Sequence, residues 1–400
     1  MRKYISNGSI LGLTHGVSLF LPTLMIPLLI NRLSLSTYGV IALVQAFLVY
    51  IMIITSYGFE VVMAKKVLQY KGSKKNLSKL FTAVNFLRLI LFLVAFVFVY
   101  TITFYIEQLE NYRVFVALML LSGISYSFNP VWFCTGVERF KLIGMYSLSA
   151  PLATLLLTFY FVNSELDIVL YGFIFLMPNL LFTILFNIYL IKRYSLKFLM
   201  PRLSFLRVLF RSGMPIFFSS LSTSFYTAFI SIVLGIYHSA EAVGIYSVCE
   251  KIVRGLASFS KPIIQVFFSR SVLGIKINTL LIVTFVVLLV GLGSGLYFPS
   301  FFISFLMPNV SQEAVLVFQV MLPITVFAFM SNMLGYLYFV ASDFSLKYMK
   351  ILLTVSLISI VLSLSIIPLY GLFGAAIVAM ISEFLIFLLF FQKYLSRVRG

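Results

Sequence analysis

Residues 80–103 read LFTAVNFLRLILFLVAFVFVYTIT, twenty-four residues in which Arg88 is the only charge. A helix of that length rises about 36 Å, enough to cross a hydrocarbon core about 30 Å thick. Apolar runs of this kind recur along the whole chain. Of its 400 residues, 62% are hydrophobic and 10% are charged, and the mean hydropathy is +1.11. A water-soluble domain carries about 25% charged residues, because its surface must be hydrated. Too few charges are present here to cover a water-facing surface, so the composition implies a protein that lives in lipid.

Periodicity and loop composition place helices at about 9–30, 38–59, 80–103, 114–134, 143–162, 168–191, 213–235, 243–268, 278–298, 314–340, 351–369 and 372–391. The expected fold class is therefore all-α, a polytopic membrane protein of about twelve transmembrane helices. The net charge of +18 is distributed as a topology signal rather than as a nucleic-acid footprint. With the N-terminus inside, 23 Lys and Arg residues fall in inner segments and only Arg32 and Arg113 fall in outer ones. Outer segments hold Glu107, Glu110, Glu165, Asp167, Glu241 and Glu313 instead. This asymmetry predicts both termini on the cytoplasmic side. Arg2 and Lys3 precede an apolar stretch too long for a signal peptide, so it is read as the first helix. Cys134 and Cys249 read as buried small hydrophobes rather than as a disulfide framework.

Residues 192–212 divide the chain into an N-terminal six-helix bundle, 1–191, and a C-terminal one, 213–400. Residues 201–213 read as a short amphipathic interfacial helix carrying Arg202, Arg207 and Arg211. Traces of a repeat accompany the division. Tyr38-Gly39 and Val243-Gly244 open the second helix of each half, and Tyr171-Gly172 and Tyr370-Gly371 open the sixth. An even number of helices per half implies parallel repeats.

Charges within the membrane carry the functional information, since each costs about 2.5–3.5 kcal/mol or more at a helix centre unless paired or hydrated. Lys251, Arg254, Ser258, Lys261 and Gln265 are spaced 3, 4, 3 and 4 apart, which makes one polar stripe on a helix. Two readings are open. Glu250 and Glu383 could neutralise these cations as structural clasps, or the stripe could line a wet, cationic central cavity suited to an anion. Arg88, with Asn85 one turn away, would supply the facing wall or else reach toward the inner headgroups. Ser219, Ser220, Ser222, Thr223, Ser224, Tyr226 and Thr227 form a hydroxyl-rich seventh helix, suited either to helix packing or to sugar contact. His15 reads as a packing residue, and Gly8, Gly12 and Gly16 as a close helix contact. Glu60, Glu250 and Glu383 are candidates for coupling to a proton or sodium gradient. No phosphate-cradling Gly-rich loop, metal-ligand spacing or soluble domain is legible, so neither a cofactor nor an enzymatic activity is expected.

The residues also carry a family likeness. Residues 21–59, Asn129-Pro130-Val131-Trp132-Phe133, Gly136-Val137-Glu138-Arg139, residues 212–270 including LGIYHSAEAVGIYSVCEKIVRG, and Gly371-Leu372-Phe373-Gly374-Ala375-Ala376 followed by Ser382-Glu383 resemble O-antigen flippases, the Wzx-type polysaccharide transporters. The pattern departs from the family at Cys134-Thr135 and at Glu60. The resemblance implies the two-bundle fold of MATE-type multidrug exporters. It also implies an undecaprenyl-pyrophosphate-linked oligosaccharide moved from the inner to the outer leaflet of a bacterial inner membrane, within an O-antigen or capsule assembly pathway. It further implies that Lys251 and Arg254 face the cavity. The expected partners are that lipid-linked oligosaccharide, membrane lipids and other assembly proteins, with no nucleic acid. A multidrug exporter is the competing transporter reading, but a Lys and Arg stripe has the wrong sign for cationic drugs. A membrane glycan polymerase or ligase would need a sizeable outer loop, which the sequence lacks.

Overall fold

A computed structural model describes residues 21–272, 278–307, 311–341 and 345–398. His15, Gly8, Gly12, Gly16 and most of the expected first helix lie outside these residues. Among the described residues the chain is mostly helical, with no strand. Eight stretches are long and apolar enough to cross a membrane, and a ninth is counted if one bent pair is a single span. The fold is an all-α polytopic membrane architecture.

The helices in order are α1 (Leu21–Leu33), α2 (Leu35–Ser56), α3 (Phe59–Gln69), α4 (Lys74–Thr103), α5 (Arg113–Leu121), α6 (Ile124–Ser127), α7 (Val131–Gly136), α8 (Phe140–Phe161) and α9 (Ile168–Tyr194). They continue with α10 (Leu203–Phe225), α11 (Ala228–Tyr237), α12 (Ala240–Ala257), α13 (Ser260–Val272), α14 (Asn278–Tyr297), α15 (Pro299–Ser304), α16 (Gln312–Met321), α17 (Pro323–Leu334) and α18 (Ser345–Val398). Two compact units emerge from their packing. One comprises the residues up to Leu28 together with Val44–Leu221, and the other comprises Leu29–Leu43 and the residues from Ser222 onward.

The first unit is built around an aromatic core. Phe81, Trp132 and Phe133 pack ring against ring, and Phe59, Met63 and Leu190 belong to the same buried cluster. Tyr57 lies between Phe210 and Phe217, with centroids at 4.4 and 4.7 Å. This sandwich exists because Gly213 carries no Cβ, which would overlap the Tyr57 carbonyl oxygen. α10 runs through that position without a stop. The interfacial helix expected at 201–213 is therefore continuous with the segment that follows, because Gly213 serves a close contact rather than a chain break. Leu206 and Leu209 are buried, while Arg202, Arg207 and Arg211 are exposed, as are Leu203, Val208 and Phe210.

In the second unit, Gly39 of α2 and Gly244 of α12 mark a helix crossing with no room for a side chain. A Cβ at Gly39 would overlap the Ala240 carbonyl oxygen, and one at Gly244 would lie 2.7 Å from the Leu35 carbonyl oxygen. The two glycines singled out as repeat marks thus pack against each other. The expected helices at 351–369 and 372–391 are joined in α18, which is kinked at Gly371, φ 54° and ψ −130°. That conformation is open to glycine and strained for other residues. A core of Phe329, Met330, Met333, Leu352, Val355 and Phe390 fills the space between α17 and α18.

Candidate functional site

The site in the second unit starts with α12. Ser239 opens this helix by accepting from the Ala242 amide at 3.3 Å, and Glu241 in the first turn complements the helix dipole. One face, including Val243, Tyr246, Val248, Cys249 and Val253, is buried. The helix then stops after Ala257. Pro262 has no N–H to give the Ser258 carbonyl, as a continuous helix would require. The Lys261 amide donates to that carbonyl instead, at 3.0 Å, and α13 begins anew at Ser260. The polar stripe expected on a single helix from 243 to 268 is therefore divided over two shorter ones.

Arg254 is the centre of the site. Its Nε donates to Glu250 Oε1 at 2.8 Å and its Nη1 to Glu383 Oε1 at 2.7 Å. Its Nη2 reaches the Tyr226 carbonyl at 3.4 Å. Glu383 is 4% exposed and follows Ser382, whose hydroxyl bonds Val378 O and Ser359 Oγ. Beside this ion cluster lies a cavity of about 200 Å³. Thr223, Tyr226, Arg254, Ser258, Lys261 and Glu383 all line it. The Lys261 side chain is exposed there, and its ammonium group makes neither an ion pair nor a hydrogen bond among the described residues. Both readings open at the level of sequence thus have a counterpart: a carboxylate clasp on Arg254 and a polar cavity next to it.

The remaining candidates are placed elsewhere. Lys251 Nζ donates to Tyr38 Oη at 2.9 Å, lies 5.2 Å from that ring's centroid and so sits against α2. Tyr38 Oη is also 3.4 Å from Ser247 Oγ. Gln265 is exposed on α13 and does not line the cavity. Ser219 belongs to the first unit, as do Arg88 and Glu60. There, Arg88 is fully buried: Nη1 donates to the Asn129 carbonyl at 3.2 Å, while Nε and Nη2 have no partner. Asn129 closes a local turn by accepting from the Val131 amide at 2.9 Å, and its amide nitrogen lies 3.5 Å from Glu60. The Asn129-Pro130-Val131 motif thus sits between Arg88 and Glu60.

Sequence reasoning missed Tyr348, Asn332 and Ser331, which also line the cavity. Ser331 is 5% exposed and its Oγ has no partner. The signal for this pair was the Ser331-Asn332 interruption in the otherwise apolar PITVFAFMSNML of α17. Among the described residues no cluster of His, Cys, Asp and Glu could hold a metal ion.

Known proteins resemble the chain over nearly its whole length. A protein of Escherichia coli (strain K12) named for O-antigen transport is 24% identical over 385 residues, covering 94% of this chain and 93% of its own. A Shigella dysenteriae protein named for the same transport is 24% identical over 263 residues, 65% of each chain. Among solved structures, the lipid II flippase MurJ in an inward closed conformation superposes with a TM-score of 0.73 at 14% identity, covering 96% of this chain and 87% of that one. A MATE-family multidrug transporter of the MOP superfamily, in an inward-facing conformation, gives 0.68 at 16% identity, covering 96% and 99%. Both structures share the fold. The profile of the family described as polysaccharide biosynthesis protein matches residues 5–271. With that match over more than half its length, the chain, a multi-pass membrane protein, belongs to the polysaccharide biosynthesis protein family.

Proposed function

We propose that the chain is a flippase for a lipid-linked oligosaccharide. It moves an undecaprenyl-pyrophosphate-linked O-antigen or capsule repeat unit from the inner to the outer leaflet of a bacterial inner membrane. The observation that carries this reading is Lys261, an uncompensated cation in a polar cavity that it shares with Arg254. A pyrophosphate bears about two negative charges, and lysine and arginine are its natural binders. A confined site of low dielectric strengthens that attraction. The lipid tail stays in the bilayer while the glycan head uses the hydroxyls of Thr223, Tyr226 and Ser258. The halves 1–191 and 213–400, joined by 192–212 with both termini cytoplasmic, alternate access to the cavity. Glu60, Glu250 and Glu383 are the groups proposed to couple this cycle to an ion gradient.

A second reading is a cation or multidrug exporter. It is favoured by the carboxylates of Glu250 and Glu383 beside the cavity, since cationic drugs need carboxylates or aromatics. One experiment separates the two. In a strain whose own glycan flippase is deleted, Lys261→Ala, Arg254→Ala and Arg254→Lys are compared for surface polysaccharide, with membrane levels of each variant measured in parallel. The flippase reading expects both alanine variants to insert normally and to lose export. Wild-type polysaccharide in Lys261→Ala and Arg254→Ala would overturn it. Failure of the unmodified chain to export glycan, together with protection against cationic drugs, would favour the exporter.

A further inference from the structure

The first unit contains a groove of about 620 Å³, within the size range of ligand sites, between the start of α4 and the end of α9. Phe81, Leu89, Phe128, Ile188 and Phe198 give it an almost entirely hydrocarbon wall. The segment 196–199 closes one end. Ser195 adopts a left-handed conformation, φ 51°, which turns the chain back at the end of α9. The Lys197 amide then donates to Ser78 Oγ at 3.0 Å, and the Leu199 amide lies 3.3 Å from Thr82 Oγ1. This strap fixes Lys197 at the rim.

Three observations define the occupant. The wall is apolar and Ile184, Ile188 and Ile191 are exposed, so the groove opens where a hydrocarbon chain can enter. The flanking segments 69–81 and 190–202 carry Lys71, Lys74, Lys75, Lys79, Lys192, Arg193, Lys197 and Arg202 and no acidic residue. Asn85, one helical turn beyond Thr82, lines the groove at 8% exposure, and its Oδ1 has no hydrogen-bond partner. An amide can present its oxygen or its nitrogen to a ligand. A trough with a cation at its end and an unused amide one turn in matches a glycerolipid phosphate followed by its ester region. Basic pockets between membrane helices select anionic headgroups for the same reason.

We propose that this groove binds an anionic glycerophospholipid, its phosphate on Lys197, its ester region at Asn85 and one acyl chain between α4 and α9. The site is separate from the cavity of the second unit, and its occupancy does not depend on which cargo the protein carries. The test is native mass spectrometry of the full chain in detergent, titrated with phosphatidylglycerol, phosphatidylcholine or undecaprenyl phosphate. The wild type is expected to retain phosphatidylglycerol over phosphatidylcholine. Lys197→Gln should lower that preference about fivefold, the worth of one basic residue near an anionic headgroup. Lys197→Arg should keep it. Ile188→Trp, which fills the trough, should reduce retention of both phospholipids. Equal retention of the two phospholipids by the wild type, unchanged retention in both Lys197→Gln and Ile188→Trp, or preferential capture of undecaprenyl phosphate would overturn the assignment.

Discussion

Removing the Glu383 carboxylate is expected to loosen Arg254 without releasing it, and the size of that effect follows from the geometry. The two groups meet at 2.7 Å, with Glu383 6% and Arg254 25% exposed at the side chain. Breaking a fully buried pair costs about 3–5 kcal/mol, whereas a net charge-assisted hydrogen bond contributes about 1.5–3 kcal/mol. Arg254 retains Glu250 at 2.8 Å and some contact with its surroundings, so the lower range applies. We expect a coupling of about 2 kcal/mol in a double-mutant cycle of Arg254→Ala and Glu383→Ala. For a unit of this size about 1 kcal/mol moves the midpoint by roughly 2–4 °C, so Glu383→Ala should melt roughly 4–8 °C below the wild type. Glu383→Gln, which keeps the shape and an acceptor, should fall between them. The assay is the fraction of folded chain surviving a heat ramp in detergent, read by size exclusion. Strict additivity of the two substitutions within about 0.5 kcal/mol, with Glu383→Ala melting as the wild type does, would refute the clasp.

Gly39→Ala should sharply lower the melting temperature or prevent accumulation, because its methyl group would overlap the Ala240 carbonyl oxygen and overpacking costs about 1–3 kcal/mol or more. Gly291→Ala, which meets nothing within 4 Å, should melt at or slightly above the wild-type temperature in the same assay. Asp167 caps the turn at Ser164, and hydrogen bonds from the Asn163 and Ser164 amides hold its carboxyl below the usual range. A lowered folded pKa gives stability that is present above the unfolded value of about 3.9 and is lost as pH falls through the folded value. The protection of the Asn163 and Ser164 amides, taken as the ratio of intrinsic to observed hydrogen-exchange rate at each pH, should therefore hold at neutral pH and fall only under acid, while Asp167→Asn should show no acid step.

Much of the fold was legible because a span must be long and apolar to survive in lipid. Residues 80–103 and 168–191 announce themselves by length alone. Their interruptions were harder to read. Pro262 signals a fault in the eighth helix, yet its position relative to the stripe becomes plain only when the Lys261 amide is seen bonding Ser258. Gly213 looks like a stop and is a contact, because its partner Tyr57 is 156 positions away and no local pattern records that distance. The 3 and 4 spacing singled out Arg254 and Lys261, which line the cavity of the second unit, and the rarity of intramembrane acids singled out Glu250 and Glu383, which pair with Arg254. Neither signal shows that Lys251 meets Tyr38. Helical phase tells which side of α12 a residue leaves from but not that Tyr38 is waiting there. Tyr348 escaped notice for the same reason, since an aromatic in an apolar helix carries no mark of polar company.

The joint in α18 has a consequence of its own. His238, at the end of α11, places Nε2 2.9 Å from the Ile367 carbonyl, one turn before Gly371. A carbonyl oxygen only accepts, so the proton must sit on Nε2 and the ring's tautomer is dictated by that neighbour. That hydrogen ties the end of α11 to the turn just before Gly371, so the bend in α18 is braced from a neighbouring helix.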